Sequence, residues 1–178
     1  NRQGRVLAVF SPSGGIGCTT IACNLAANIA SEMEGRNACT LIDMNIQFGT
    51  VALAMDIREF SHTLGDAVND SERLDENLLR GMMSEHPSGC AVLPAPVNVA
   101  EAETLNPLHV RSVIQMCRKV SSHVILDMPH HFDDVSIVGL DEADEIFLVC
   151  DMVLTTVRNT IRALETFREL EYTGEKLK

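Results

Sequence analysis

The chain has 178 residues, 46% of them hydrophobic, and a net charge of −11 at pH 7, which predicts one globular domain over residues 1–178. The acidic excess and a pI near 4.9 argue against a nucleic-acid-binding surface, because affinity for duplexes rests largely on lysine and arginine. No apolar stretch of the sequence approaches the roughly 18 to 20 residues that span a bilayer, so any membrane association would be peripheral.

Apolar runs alternate with amphipathic helical patterns along the chain. The runs indicate strands near residues 5–10, 38–43, 90–94, 123–127 and 145–150. Helical spacing indicates helices over residues 19–33, 74–84, 107–120 and 159–172, the first of them ended by Glu34 and Gly35. Short strands that alternate with helices predict an α/β fold, a doubly wound and mostly parallel sheet with helices on both faces.

The stretch from Ser11 to Thr20 lies between the first strand and the first helix and carries three glycines. Glycine permits positive φ and close approach of the backbone, so successive amides here can surround an anion at the positive end of the helix. The predicted phosphate-binding residues are Ser13, Gly14, Gly15, Ile16, Gly17, Cys18, Thr19 and Thr20.

This loop lacks the cation of the usual phosphate-binding pattern, Gly-x-x-x-x-Gly-Lys-[Ser/Thr]. Pro12 stands at the first glycine and Cys18 at the lysine. A hydrogen bond to a charged group is worth roughly 1.5 to 3 kcal/mol, so the loss predicts triphosphate binding weaker by about one to two powers of ten. Hydrolysis suffers more, because cations also offset charge in the transition state.

Cysteine 18 belongs to a set of six cysteines without a Cys-x-x-Cys pair, at positions 18, 23, 39, 90, 117 and 150. Most occupy apolar segments, which is typical of small buried side chains in a reducing compartment and predicts a cytoplasmic location. At the start of a helix, Cys18 is either a tolerated replacement for lysine or a thiol of lowered pKa.

Two apolar strands each end in a carboxylate, at Asp43 and Asp127. The carboxyl ends of parallel strands meet at one edge of a sheet, so both acids would lie beside the glycine-rich loop. Thr19, Asp43 and Asp127 are therefore the predicted magnesium ligands, directly or through water. Either acid alone could instead be an ordinary turn residue at the end of a strand.

A pair of histidines follows the second of these strands. His130 and His131, with Asp133 and Asp134 after them, lack the spacing of a zinc motif and predict polar residues on a solvated loop. A metal site on that loop and a position of His130 near a γ-phosphate or a partner subunit are the alternatives.

These motifs together resemble the ParA and MinD family. The loop is similar to the family's deviant Walker sequence Lys-Gly-Gly-Val-Gly-Lys-Thr-Thr, with Ser13 and Cys18 in place of both lysines. Residues 41–49 resemble its second motif, but Asn45 stands where the family has its catalytic carboxylate, so the catalytic residues are unknown. Residues 126–129 resemble its Walker B segment, and residues 151–159 resemble the turn after the next strand.

Within that family the chain looks most like the CpaE/TadZ branch of Flp pilus assembly, through residues 43–49, 72–75, 93–96 and 126–130. The resemblance implies ATP or ADP with Mg²⁺, a homodimer, and pilus-assembly or polar localisation proteins as partners. It also implies a receiver-like domain upstream and further elements downstream that complete the adenine site. The implied location is the cytoplasm, at a pole or peripherally at the inner membrane.

Three functions are consistent with these residues. The first is a nucleotide-binding docking platform for pilus assembly whose hydrolysis is weak or absent. The second is an active ParA/MinD-type ATPase switch, in which Arg158 or an arginine of the partner subunit supplies the missing cation. The third is an interaction module that binds no nucleotide.

Overall fold

A computed structural model describes residues 3–33 and 38–178 of the chain. The strands are β1 (Arg5–Phe10), β2 (Cys39–Asp43), β3 (Ser84–Glu85), β4 (Ala91–Leu93), β5 (His123–Asp127) and β6 (Glu145–Leu148). The helices are α1 (Cys18–Glu32), α2 (Val51–Ala54), α3 (Leu64–Asn69), α4 (Glu76–Met82), α5 (Val99–Ala102), α6 (Pro107–Val120), α7 (Asp134–Glu142) and α8 (Leu154–Glu169). The predicted helix stop at Glu34 and Gly35 lies outside the described residues.

The strands form one sheet in the order β3-β4-β2-β5-β1-β6. All neighbours are parallel except β3, which pairs antiparallel with β4. This arrangement confirms the predicted fold class and all five predicted strands. Neither the two-residue β3 nor the pairing of Leu177 with Ile146 beside β6 was predicted from the sequence.

Side chains alternate between the two faces of the sheet along each strand, and both faces are buried in hydrophobic cores. On β1, Val6, Ala8 and Phe10 belong to the larger core, which includes buried residues of α6, α7 and α8. Leu7 and Val9 face the smaller core, under α1. Helices therefore cover both faces, as predicted.

The last helix begins earlier than the sequence indicated. We predicted a helix over residues 159–172, but α8 spans Leu154–Glu169. The first turn of α8 contains three β-branched residues with low helix propensity, Thr155, Thr156 and Val157. The sequence pattern therefore predicted a loop there. Burial of Thr156, which is 5% exposed, outweighs that local preference.

The two arginines of α6 form ion pairs within the chain. Arg111 pairs with Asp141 and Glu142 of α7 at 3.2 and 3.0 Å. Arg118 pairs with Asp144 at 2.6 Å and donates to the carbonyl of Gly4 at 2.7 Å. This cluster therefore holds α6 to its neighbours.

Buried cysteines are found where the sequence predicted apolar positions. Cys23, Cys39, Cys90 and Cys117 are buried, Cys18 is half-buried and Cys150 is exposed. None of the helices that the structure describes combines the length and apolar character that crossing a bilayer requires.

Phe167 on α8 anchors an aromatic cluster in the larger core. Its ring centroid lies 5.6 Å from those of Phe10, Phe132 and Tyr172, and its side chain is fully buried. We expect Phe167→Ala to lower the free energy of unfolding by about 3–5 kcal/mol, because the cavity left behind cannot fully collapse. Urea unfolding followed by circular dichroism measures this.

The matched control lies on the same helix, at Ile161. Its side chain is 54% exposed, so Ile161→Ala should change the free energy of unfolding by about 0.5 kcal/mol or less. Similar losses for both variants would show that α8 is not fixed through Phe167.

Candidate functional site

The glycine-rich loop joins β1 to α1 in the conformation that an anion cradle requires. Gly15 and Gly17 have φ angles of 80° and 96°, the left-handed region that other residues rarely adopt. Gly17 is the residue before α1, and no side chain caps the helix there. The first amides of α1 are thus left for a ligand, at the positive end of the helix.

A cavity of about 290 Å³ opens over this loop. The loop forms one wall, and Asn45 after β2 and residues 128–130 after β5 form the other. The lining residues are Ser11, Ser13, Gly14, Gly15, Ile16, Gly17, Cys18, Thr19, Asn45, Met128, Pro129 and His130. Seven of the eight predicted phosphate-binding residues, Ser13 to Thr19, line it without interruption.

Thr19, which lines this cavity, contacts Asp127 at the end of β5. The Thr19 hydroxyl donates to Asp127 Oδ2 at 2.7 Å. Asp127 is 2% exposed, and its Oδ1 has no hydrogen-bond partner among the described residues. Burial raises the pKa of Asp127 to about 6, partly offset by the bond from Thr19.

This pair fits a magnesium ion. A buried carboxylate oxygen without a partner costs free energy unless a proton, a water or a cation meets it, and Mg²⁺ prefers carboxylate and hydroxyl oxygens. Two of the three predicted ligands, Thr19 and Asp127, are therefore brought together.

The third predicted ligand, Asp43, is built into the protein instead. It is 1% exposed, its Oδ1 accepts from the amide of Asn45 at 3.1 Å, and its Oδ2 accepts from the amide of Val51 at 3.0 Å. Both oxygens therefore hold the segment after β2 in place, so direct ligation of magnesium by Asp43 is not supported and ligation through water stays a prediction. Turn residues that use side-chain carboxylates in this way are common.

Asp43 still acts on the site through its charge. It pairs in register with Asp127 across β2 and β5, so both side chains lie on the same face of the sheet. Burial raises the pKa of Asp43 to about 7; amide hydrogen bonds lower it, and the Asp127 charge raises it. A cation at Asp127 would relieve this repulsion.

Cys18 lines the cavity at the lysine position as a neutral thiol. Burial raises its pKa to about 11, with a further contribution from the Asp127 charge. Desolvation therefore outweighs the helix terminus, which favours a tolerated replacement for lysine over a reactive thiolate. Cys18 contributes its backbone amide and space but no charge.

Thr20 departs from the prediction. Its side chain is exposed, and it is not among the residues lining the cavity. Successive residues of a helix point about 100° apart, so Thr19 and Thr20 cannot both face Asp127 and the loop. The predicted second hydroxyl at the phosphates is not supported.

Asn45 occupies the place of the family carboxylate and faces the cavity. Its Nδ2 donates to the carbonyl of Phe48 at 3.2 Å, which tightens the turn after β2. An amide cannot act as a general base, so the described lining offers no catalytic carboxylate at this position.

Asn159 of α8 is a neighbour of the loop that sequence reasoning did not single out. Its Nδ2 donates to Ser13 Oγ at 3.2 Å. Arg158, the candidate cation, is exposed and does not line the cavity. The side of α8 that faces the loop is occupied by the adjacent Asn159.

His130 and His131 have different surroundings. His130 lines the cavity, and its Nδ1 would lie 3.8 Å from a Cβ placed on Gly14. His131 instead lies 3.1 Å from Asp133, whose carboxylate caps α7 by accepting from the amide of Ser136. Within the described ranges no three metal-ligating side chains gather, so the metal alternative for this loop has no support.

A larger cavity, of about 520 Å³, lies beside the first, where β2 and β4 end. Its rim carries Phe48, Leu53 and Val97, which are 73%, 81% and 79% exposed. Large apolar side chains grouped on a surface are typical of protein-contact sites. These residues follow no helical or strand periodicity, so the sequence did not reveal them.

Comparisons with known proteins agree with this geometry. The family model AAA_31, an AAA domain, matches residues 4–177. MinD, the septum site-determining protein of Thermotoga maritima, is 23% identical over 176 residues, 98% of this chain and 62% of that protein. An uncharacterized ATP-binding protein of Methanocaldococcus jannaschii is 23% identical over 164 residues, 92% of this chain and 59% of that protein.

A solved structure extends the comparison to the fold. The ParA family ATPase of Chlorobium tepidum superposes with a TM-score of 0.88 at 26% identity, covering 98% of this chain and 72% of that one. The chain spans about three fifths of the length of the two curated relatives. The likeness to ParA and MinD is thus confirmed, and the pilus-assembly branch stays a prediction.

Gly49 allows the close contact between the segment after β2 and Asp43. A Cβ there would lie 2.4 Å from both Asp43 Oδ2 and the Ala95 side chain. We expect Gly49→Ala to cost about 1–3 kcal/mol of unfolding free energy, because it displaces the carboxylate from the Val51 amide. The control Gly81→Ala has no atom within 4 Å of its new Cβ and should be neutral or stabilising in its helix; equal effects in thermal melts would contradict this role of Gly49.

Asp127 should destabilise the ligand-free protein at neutral pH. Its pKa is raised to about 6 from about 3.9 in the unfolded chain, so the unfolded state ionises first and stability falls as pH rises between those values. Asp127→Asn should therefore raise the unfolding free energy by about 1–3 kcal/mol at pH 8 and much less near pH 4. Urea unfolding with a chelator at both pH values measures this.

The control for that comparison is Asp134→Asn. Asp134 is exposed, so its substitution should have a small effect that is similar at both pH values. A gain from Asp127→Asn that did not depend on pH would show that burial of its charge is not what destabilises the site.

Proposed function

We propose that this chain, which belongs to the AAA_31 family of ParA- and MinD-type P-loop NTPases, binds ATP or ADP with Mg²⁺ and hydrolyses it slowly or not at all. The observation that carries the proposal is an open phosphate-sized cavity over a glycine loop, lined by Thr19, whose hydroxyl donates to the buried Asp127. The other oxygen of that carboxylate, Oδ1, has no hydrogen-bond partner among the described residues. No lysine or arginine of the described chain lines that cavity.

Binding would rest on backbone amides and on the Thr19–Asp127 pair. Amides of the loop and the first turn of α1 donate to phosphate oxygens and require no side-chain charge. Thr19 and Asp127 would hold the magnesium ion, which offsets phosphate charge when bound. Asp127 also orients the Thr19 hydroxyl through its 2.7 Å hydrogen bond.

Slow hydrolysis follows from what the cavity lacks. Phosphoryl transfer depends on cations that offset charge in the transition state and on a group that orients the attacking water. Cys18 is a neutral thiol at the first position, and Asn45 is an amide bonded to Phe48 at the second. The groups that bind a nucleotide are present, whereas the described lining lacks the groups that hydrolysis requires.

The role that fits a slow nucleotide-binding protein is that of a docking platform, and we place it in the CpaE/TadZ branch, in localisation and assembly of Flp pilus machinery. The branch is supported by the likeness of residues 43–49 and 126–130 to CpaE segments. The exposed apolar rim formed by Phe48, Leu53 and Val97 supports an interaction role. A homodimer in the cytoplasm, at a pole or peripherally at the inner membrane, completes the proposal.

An active ATPase switch is the second candidate. It is favoured by the position of Arg158, exposed on α8 next to the residue that touches Ser13, where a rearrangement or a partner subunit could bring a guanidinium to the phosphates. Stimulated hydrolysis that is abolished by Arg158→Ala with unchanged nucleotide affinity would establish this alternative.

Nucleotide titration of the full-length protein by calorimetry, with a steady-state phosphate-release assay, tests the leading proposal. We expect ADP and ATP to bind in the presence of Mg²⁺ with turnover far below the roughly 1–100 s⁻¹ of kinases. Cys18→Lys should tighten binding about ten- to a hundredfold, because it restores a charged hydrogen bond. Cys18→Ala, which adds no charge, should leave the affinity unchanged.

Two results would contradict the proposal. Rapid turnover would favour the ATPase switch. Absence of ADP and ATP binding at millimolar concentration, in the wild type and in Cys18→Lys alike, would favour an interaction module that binds no nucleotide.

A further inference from the structure

The cavity over the glycine loop has an unusual charge inventory for a site that would hold phosphates. Its described lining contains one side chain able to carry a positive charge, His130. Cys18, which also lines the cavity, is a neutral thiol, and Asp127, which accepts from the lining residue Thr19, is a buried carboxylate. A polyphosphate in this cavity would have backbone dipoles and a metal ion around it, and this imidazole as its remaining cationic contact.

We propose that His130 replaces the missing lysines as the side chain that grips the nucleotide phosphates, an inference that rests on the nucleotide binding proposed above. His130 donates an N–H to a phosphate oxygen, and in its protonated form it adds a positive charge. The ligand class is a nucleoside di- or triphosphate.

The position of the imidazole supports this role. Its Nδ1, Cγ and Cε1 would lie 3.8, 3.9 and 4.0 Å from a Cβ placed on Gly14, so one edge of the ring runs along the loop. The absence of a side chain at Gly14 leaves the space between the ring and the backbone open. The imidazole is also exposed, so a ligand reaches it without displacement of the protein.

The ring is held in place by its neighbours. Pro129 immediately before it is buried and has a fixed φ. His131 contacts His130 edge to face, with 5.5 Å between centroids and 89° between planes. His131 is itself 3.1 Å from Asp133, the residue that caps α7. A donor that is oriented before the ligand arrives loses less conformational entropy on binding.

Histidine would make the grip depend on pH, which a lysine would not. An adjacent phosphate favours the charged imidazolium, so binding near neutral pH should take up protons. The titratable groups around His130 are Cys18, which shares the cavity lining with it, and His131, which contacts its ring and pairs with Asp133. Among the described residues that line the cavity no other cation competes for the phosphates.

The test is calorimetric titration of the full-length protein with Mg·ADP at about pH 6 and pH 8. We expect His130→Gln to weaken binding about tenfold at pH 6, where a charged hydrogen bond is lost, and about twofold at pH 8. His130→Lys should bind at pH 8 at least as tightly as the wild type. Titration of Asp43, Asp127 and ADP affects wild type and variant alike, so it cancels in the ratio of their affinities.

The matched control is His109→Gln, which removes an imidazole of α6 that does not line the cavity and should change affinity less than twofold. Titrations in buffers of different ionisation enthalpy should show a net proton uptake on binding that is larger in the wild type than in His130→Gln. Thermal melts confirm that the variants are folded, as expected for an exposed side chain.

Three outcomes would overturn the inference. If the affinity of His130→Gln lies within twofold of the wild type at pH 6, His130 does not contact the phosphates. If the variant loses the same affinity at both pH values, the charge of His130 plays no part in binding. Equal losses in His130→Gln and His109→Gln would show an effect that is not specific to the residue lining the cavity. In each case the wild type still binds Mg·ADP, so the proposed function stands; absence of binding to the wild type would overturn both.

Discussion

The pairing of β5 with β1 on one side and β2 on the other is the constraint on which the site depends. Hydrogen bonding in register places Asp127 beside Val9 of β1 and opposite Asp43 of β2. The same register brings Asp127 under the first turn of α1, within 2.7 Å of the Thr19 hydroxyl. A slip of one residue would turn every side chain of β5 to the other face of the sheet and remove the carboxylate from the loop.

The site keeps the parts of a phosphate cradle that come from the backbone and lacks those that come from long charged side chains. Left-handed glycines at positions 15 and 17 and an uncapped helix start are properties of the fold itself. A lysine ammonium group can be lost without disturbing them, because it makes no contribution to the conformation of the loop. This separation explains how a cavity can persist over a loop in which Cys18 is a neutral thiol.

Much of this arrangement could be predicted from the sequence, since strongly apolar strands and a glycine-rich loop are local signals. Such local signals predicted that two strands end at Asp43 and Asp127 and that the loop glycines adopt unusual backbone conformations. The role of Asp43 was not predictable, because it depends on the amides of Asn45 and Val51 and on the close approach of Gly49. Helix α7 was missed because its start is marked only by the Asp133 capping box, inside a stretch that reads as a polar loop. The burial that neutralises Cys18 is likewise a property of the tertiary structure.

The sheet order also determines when the protein can fold during synthesis. Strand β1 lies between β5 and β6. The ribosome synthesises both of these strands after residue 122. Until then β1 and β2 have no β5 between them, and their backbone edges and apolar faces are exposed to solvent. Such long-range pairing is slow and leaves the nascent chain open to aggregation. The amino-terminal two thirds of the chain therefore depend on its last third for their central contacts, and chaperones would have most to protect in that interval.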